Sequence, residues 1–257
     1  MIGSFIQGGL GNQLFQISAG VAQAKRLGSS FAVIEGQHHL PLQGNNISTY
    51  KDNILRGIVS KPQLEFAECT LLHEQGHHYT PLPPSDNCLL MGYFQSEKYF
   101  EDCKEDIDEL FSITPEIQEK IEKQYPYIKD EKVVSLHVRR GDYLDNPTIH
   151  PTTSPEYYQR ALDSIEDKDR VIIFSDDIAW CRETFSKDYS FSVFEEDYMD
   201  LYTMANCTHH ILANSTFSWW GAWLSQTAGK VIAPKIWFGP DAHLEPKDII
   251  PDRWERL

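Results

Sequence analysis

Two arginines close a short apolar run in the segment His137-Val138-Arg139-Arg140-Gly141-Asp142-Tyr143. A guanidinium presents a rigid fork of donors and stays charged at any physiological pH, which suits the oxygens of a diphosphate. In extended chain the side chains alternate, so Ser135, His137 and Arg139 share one face, while Val134, Leu136, Val138 and Arg140 share the other. That division assigns Arg139 and His137 jointly to an anionic ligand. Arg140 is then a helper on the phosphates or a structural partner of Asp142. The plain alternative for the whole motif is an Arg–Asp salt bridge at the surface.

Other stretches could carry chemistry. Asn214-Ser215-Thr216-Phe217-Ser218 leads into a helical pattern, where free backbone N–H groups and hydroxyls make an anion site or simply a helix cap. Trp219, Trp220 and Trp223 behind it read as core aromatics rather than a sugar platform. Gly8-Gly9-Leu10-Gly11-Asn12-Gln13 is not a dinucleotide fingerprint, because Leu14 stands where the third glycine belongs. Asn12 at that turn can bond substrate or cap the helix. Asp176-Asp177 lacks the spacing of a metal-binding D-x-D pair, and a carboxylate there can read the N–H donors of guanine. His73-Glu74-Gln75-Gly76-His77 is a literal H-E-x-x-H, the zinc-peptidase pattern of two histidines on one helix face. Gly76 and Pro81 weaken that helix, and Thr80 and Pro83 occupy the places of the extended motif's Gly and His.

The elements that must position these groups alternate between strand and helix. The opening reads as a strand at Ile2–Ile6, a helix to about Leu27 and a strand at Phe31–Ile34, with Gly28 as the stop. Residues 36 to 90 are irregular, with loop chemistry at Pro81-Leu82-Pro83-Pro84. Helices are expected over Ser96–Leu110 and Pro115–Gln124, and 126–132 reads as a linker. Beyond it the pattern predicts strands at 133–139, 171–174, 191–194, 209–213 and 230–233. Helices are expected at 154–165, opened by Ser154 and Pro155, at 198–206 and at 217–228. Such alternation implies mostly parallel sheets, and ligands of such sheets sit beyond the carboxyl ends of the strands. Arg139, Asp176-Asp177, Asn214–Ser218 and Gly8–Asn12 all fall at such positions.

With 257 residues, 41% hydrophobic, the chain can build two small domains. Its 38 Asp and Glu outnumber 23 Lys and Arg, for a net charge of −15, which argues against nucleic acid as a partner. Five scattered cysteines without C-x-x-C spacing suit reduced thiols in a cytoplasmic protein. No apolar run approaches a membrane span, and no signal peptide or anchor is evident, so any membrane association is expected to be peripheral, on the cytoplasmic face of the inner membrane.

Taken in order, Gly8–Gln16, Gly92–Phe100, His137–Tyr143, Ser175-Asp176-Asp177 and Asn214–Leu224 resemble the α-1,2-fucosyltransferases of glycosyltransferase family 11, specifically their bacterial members. The resemblance implies a GT-B-like α/β fold of two Rossmann-like halves with mostly parallel sheets facing a cleft. These are an acceptor-side domain over 1–128 and a GDP-sugar domain over 129–257. It implies inverting, metal-independent transfer of L-fucose from GDP-fucose to the 2-OH of a galactoside in glycan or O-antigen synthesis, with no cofactor. On the donor it implies His137 near guanine, Arg139 at the diphosphate, Asp176 or Asp177 on guanine, and Ser215, Thr216, Phe217 and Ser218 at the β-phosphate; Arg140 and Asn214 join them as donor-side candidates. Asn12, Gln13, Tyr93 and Gln95 fall to the acceptor, with Arg139, Asn12 and, as candidate base, Asp142 at the reacting centre. The competing readings are a zinc peptidase built on His73 and His77, and a nucleotide-sugar binder without turnover.

Overall fold

A computed structural model describes residues 1–34, 46–66 and 68–257. By packing the chain divides into two compact units, Met1–Ser112 with Glu245–Pro251, and Ile113–Leu244 with Asp252–Leu257.

The first unit runs β1 (Ile2–Ser4), α1 (Leu10–Arg26), β2 (Phe31–Ile34), β3 (Ser60–Lys61), β4 (Thr70–His73), β5 (Cys88–Met91) and α2 (Lys104–Leu110). The strands form one parallel sheet in the order β3-β2-β1-β5-β4. Leu14, Phe15 and Ile17 of α1 are fully buried, and so are its Gln13 and Gln16. Those glutamines strap down the glycine turn before the helix. Gln16 exchanges two hydrogen bonds with the Gln7 backbone, and Gln13 Nε2 donates to Gly8 O at 3.0 Å. Gly8 itself sits at φ +79°, and a Cβ there would lie 2.5 Å from Asn12 Nδ2, so the turn needs glycine.

The stretch expected to be irregular holds three strands among its described residues, while 36–45 and 67 lie outside them. β3 is too short to show a period, and β4 lies at the sheet edge with mostly exposed side chains, so neither leaves a burial pattern in the sequence. The helix expected from Ser96 is two 3₁₀ turns, Glu97–Tyr99 and Glu101–Cys103, followed by the shorter α2. Phe100 at φ −147° separates the turns. Residues 245–251 return to this unit, where Asp248 accepts from Tyr79 N at 2.9 Å and pairs with Lys98 Nζ at 2.6 Å.

The second unit begins with α3 (Pro115–Gln124), then β6 (Val133–Val138), α4 (Pro155–Asp163), β7 (Arg170–Ser175), α5 (Ile178–Thr184), β8 (Ser190–Phe191) and α6 (Asp197–Ala205). It ends with β9 (His209–Ile211), α7 (Thr216–Trp223), β10 (Val231–Ala233) and β11 (Glu255–Arg256). Its sheet is also wholly parallel, in the order β11-β10-β9-β6-β7-β8. All six residues of β6 are buried, and Leu136 and Val138 pack with Tyr157, Tyr158 and Leu162 of α4. Ser154 caps α4 through Tyr157 N, with Pro155 in its first turn, as the sequence predicts.

Several boundaries move. α3 belongs to this unit, where Gln118 Nε2 donates to Asn206 Oδ1 at 3.0 Å, so the chain divides after Ser112 rather than after residue 128. The expected linker carries the buried Ile128. α7 stops at Trp223, short of residue 228, because Ser225 and Thr227 turn their hydroxyls onto the Cys207 and Thr208 carbonyls. No described helix is long and apolar enough to cross a membrane.

Candidate active site

β9, β6 and β7 are neighbours in one parallel sheet, so their carboxyl ends lie along one edge. β6 leads directly to Arg139 and Arg140, β7 to Asp176 and Asp177, and β9 to Asn214–Ser218 at the start of α7.

Arg139 is held by two carboxylates: its Nη2 donates to Asp142 Oδ1 at 2.7 Å and its Nη1 lies 3.0 Å from Asp176 Oδ2. About a third of its side chain remains exposed, and its guanidinium lies 5.5 Å from the Tyr143 ring centre. Tyr143 stacks on His150 with centroids 4.9 Å apart, and its hydroxyl donates to Asn214 O at 2.9 Å. Arg140 points elsewhere. Its Nε donates to Asp177 Oδ2 at 3.0 Å, and its guanidinium lies 4.1 Å over the Trp180 ring. Of the two alternatives for Arg140, the structural pairing with Asp142 is not the one found: Asp142 pairs with Arg139, and Arg140 is anchored by Asp177. The regular strand stops at Val138, and the two arginines point apart, as their opposite faces in the alternation predict. Gly141 makes room for this, because a Cβ there would stand 2.6 Å from Asp176 Oδ2.

His137 is 5% exposed, and its Nδ1 has no hydrogen-bond partner among the described residues. Burial, helped by the charge of Arg139, pushes its pKa down to about 3, so the ring is neutral at pH 7. Phe217 lies beside it at 5.6 Å between ring centres. Asn214 is tied to the protein: its Nδ2 donates to Pro151 O and Trp237 O, each at 2.9 Å. Ser215 Oγ caps α7 by accepting from Phe217 N at 3.3 Å, and Ser218 Oγ donates to Ser215 O. Ser215 thus acts as the helix cap, while Ser218 bonds back onto the first turn. Thr216 and Phe217, half-buried, open the helix.

His210, behind the site, is likewise pushed to about 3 by burial, and its Nδ1 meets Ser135 Oγ at 2.9 Å. In the unfolded chain both imidazoles protonate below about pH 6.5. Between pH 6.5 and 3 the unfolded state thus binds more protons, and each histidine should remove up to ~1.4 kcal/mol of stability per pH unit of acidification. Asp200, raised to about 7 by burial although Ser192 donates to it, works the other way and opposes part of this loss. Melting at pH 7.5 and 5 should show a lower Tm in acid, with a flatter dependence in His210→Gln.

In the first unit Asn12 Oδ1 accepts from Gln95 Nε2 at 2.9 Å, which brings two predicted acceptor residues together. Tyr93 is half-buried, with its ring 5.7 Å from that of His77. Gln13 is fully buried and turned onto Gly8, serving the loop. The zinc-peptidase reading fails on geometry. His73 ends strand β4, Gly76 turns the chain at φ +86°, and Glu74 accepts from the Tyr93 and Phe94 backbones. No group of three or more metal-ligand side chains occurs among the described residues. Sequence reasoning passed over Tyr143, His150 and Trp180. Only Tyr143 carried a signal, by closing the arginine motif.

Comparison with known proteins bears on these units. The alpha-1,2-colitosyltransferase of Escherichia coli is 31% identical, with 98% of this chain and 97% of that protein covered. The Escherichia coli O-antigen biosynthesis glycosyltransferase WbnK is 28% identical over 91% of this chain and 94% of its own length. Galactoside alpha-(1,2)-fucosyltransferase 2 of Gorilla gorilla gorilla is 27% identical over 91% of this chain and 71% of that protein. Among solved structures, fucosyltransferase NodZ from Bradyrhizobium has a TM-score of 0.53 at 15% identity, covering 95% of this chain and 96% of its own. Its likeness is one of fold, the GT-B class with two α/β units of mostly parallel sheet. The description "Glycosyl transferase family 11" matches residues 2–256, and the chain belongs to that family of glycosyltransferases.

Proposed function

We propose that the protein transfers L-fucose from GDP-fucose to the 2-OH of a galactoside, with inversion and without a metal. The supporting observation is Arg139, a partly exposed arginine aimed by two carboxylates at the carboxyl end of a buried parallel strand. As the sugar–phosphate bond breaks, positive charge builds on the sugar ring and negative charge on the departing GDP. Fixed donors must meet that second charge, and Arg139 with the opening N–H groups of α7 supplies them. Arg140 adds positive potential from its anchored place. His137, neutral and with an unpartnered Nδ1, fits the base or ribose of the nucleotide, and Asp176 and Asp177 flank the same end.

The second unit carries the donor, and the first carries the acceptor through Asn12, Tyr93 and Gln95. Asp142 is the candidate proton acceptor for the attacking hydroxyl as well as the anchor of Arg139. Asp142→Asn should then lower kcat about 100-fold, in the range for general-base removal, with little change in acceptor KM. Near-normal turnover would take Asp142 out of proton transfer and leave it the bridge alone.

Incubation with GDP-fucose and a galactoside panel in EDTA, with product linkage read by NMR, tests the whole reading. An α-1,2-linked product supports it, while no product or strict metal dependence overturns it. The 31% relative is named for a colitosyl group, so nucleotide-activated colitose belongs in the donor panel as the second reading.

A further inference from the structure

Glu74, the carboxylate of the H-E-x-x-H segment, has no place in the zinc chemistry that segment suggested, yet both of its oxygens are engaged. Oε2 accepts from Tyr93 N at 2.7 Å and Oε1 from Phe94 N at 3.0 Å, while its own backbone N–H donates to Met91 O. Gly92 lets the carboxylate this close, since a Cβ at 92 would stand 2.3 Å from Glu74 Cβ. Phe94 is a bulky residue at φ +53°, a left-handed conformation that survives only where the surroundings fix it. A cavity of about 320 Å³ borders Glu74 and Phe94, so packing alone does not hold this turn from every side. Immediately after the turn, Gln95 donates to Asn12. Gln95 is 8% exposed, and its Oε1, itself buried, has no partner among the described residues, an acceptor whose bonding capacity the protein leaves unmet.

We propose that Glu74 is a positioning residue of the acceptor side, whose carboxylate fixes the 92–95 turn so that Gln95 binds Asn12 and offers Oε1 to a sugar hydroxyl. The inference rests on the acceptor role given above to Asn12 and Gln95. A carboxylate is required, because both groups facing it are donors. Glutamine would turn an NH₂ toward one of them.

The test is a double-mutant cycle on Glu74→Gln and Gln95→Ala, with GDP-fucose as donor and lactose as the galactoside probe. Glu74→Gln should raise the lactose KM about tenfold and leave the Kd for GDP, measured by calorimetry, within twofold. The double variant should lose clearly less than the sum of the two single losses, because Glu74 acts largely through Gln95. Additive losses, or an unchanged KM, would overturn the proposal, whatever happens to Tm. A second readout does not depend on transfer. The Gln95 side-chain amide should exchange slowly with solvent in the wild type and rapidly in Glu74→Gln. Slow exchange in both proteins would sink the clamp. A wild type inactive on lactose but showing the exchange difference would instead count against the acceptor reading. Should Glu74→Gln fail to fold, Gly92→Ala disturbs the same contact from the other side and must give the same pattern.

Discussion

Arg139→Ala should lower kcat/KM for GDP-fucose about 10²–10³-fold, the range for loss of one fixed donor to a developing anion, while Tm stays near the wild-type value. The small stability effect follows from exposure. Both of its carboxylate bridges lie where solvent screens them, and such pairs contribute at most about 1 kcal/mol. Arg140→Ala should show the reverse balance. It loses an ion pair and the Trp180 face together, so stability drops by about 1 kcal/mol while donor turnover falls less than in Arg139→Ala. Steady-state kinetics with GDP-fucose, alongside thermal melts, separates the two. Equal kinetic losses would refute the division of labour between the arginines.

The largest stability effect is expected at Trp219. Its ring is fully buried and sits 5.2 Å from Trp220, 6.0 Å from Trp223 and 5.3 Å from Trp254 between centres. Trp219→Ala should cost ~3–5 kcal/mol, the transfer free energy of the ring plus the hole it leaves. That is a large share of the ~5–15 kcal/mol that holds a domain folded. Trp254 precedes β11, so the same hole loosens the sheet's outermost strand. Urea unfolding measures the loss. A variant that kept wild-type stability yet lost acceptor affinity would mean that the ring contacts sugar after all.

The sequence was most legible where burial imposes a period and where caps are chemical. Phe31–Ile34 and the Ser154–Pro155 start of α4 are legible because a short apolar run, a serine cap and a first-turn proline each act locally. β4 and β11 were invisible for the opposite reason. Edge strands with exposed side chains are held by their neighbours' backbones, and no residue type records that. The site followed the same rule. Arg139 could be singled out from type and position, but its two carboxylate partners come from the next turn and from a neighbouring strand. The Arg140–Asp177 pair depends on where β6 ends, which alternation alone does not tell. The sequence shows Glu74 only by its spacing to two histidines, whereas its partners are backbone amides just past the end of another strand.

The return of residues 245–251 to the first unit has a consequence for synthesis. Asp248 braces Tyr79 and Lys98, yet it leaves the ribosome only after β6 to β10 have been made. The first half of the chain to emerge therefore waits for one of its own parts while the other half is being translated. Vectorial folding, half by half, cannot complete the first unit in this topology. A fragment ending at Ser112 should acquire its native order only when a peptide spanning 245–251 is supplied, and the nascent first half is a natural client for chaperones in that interval.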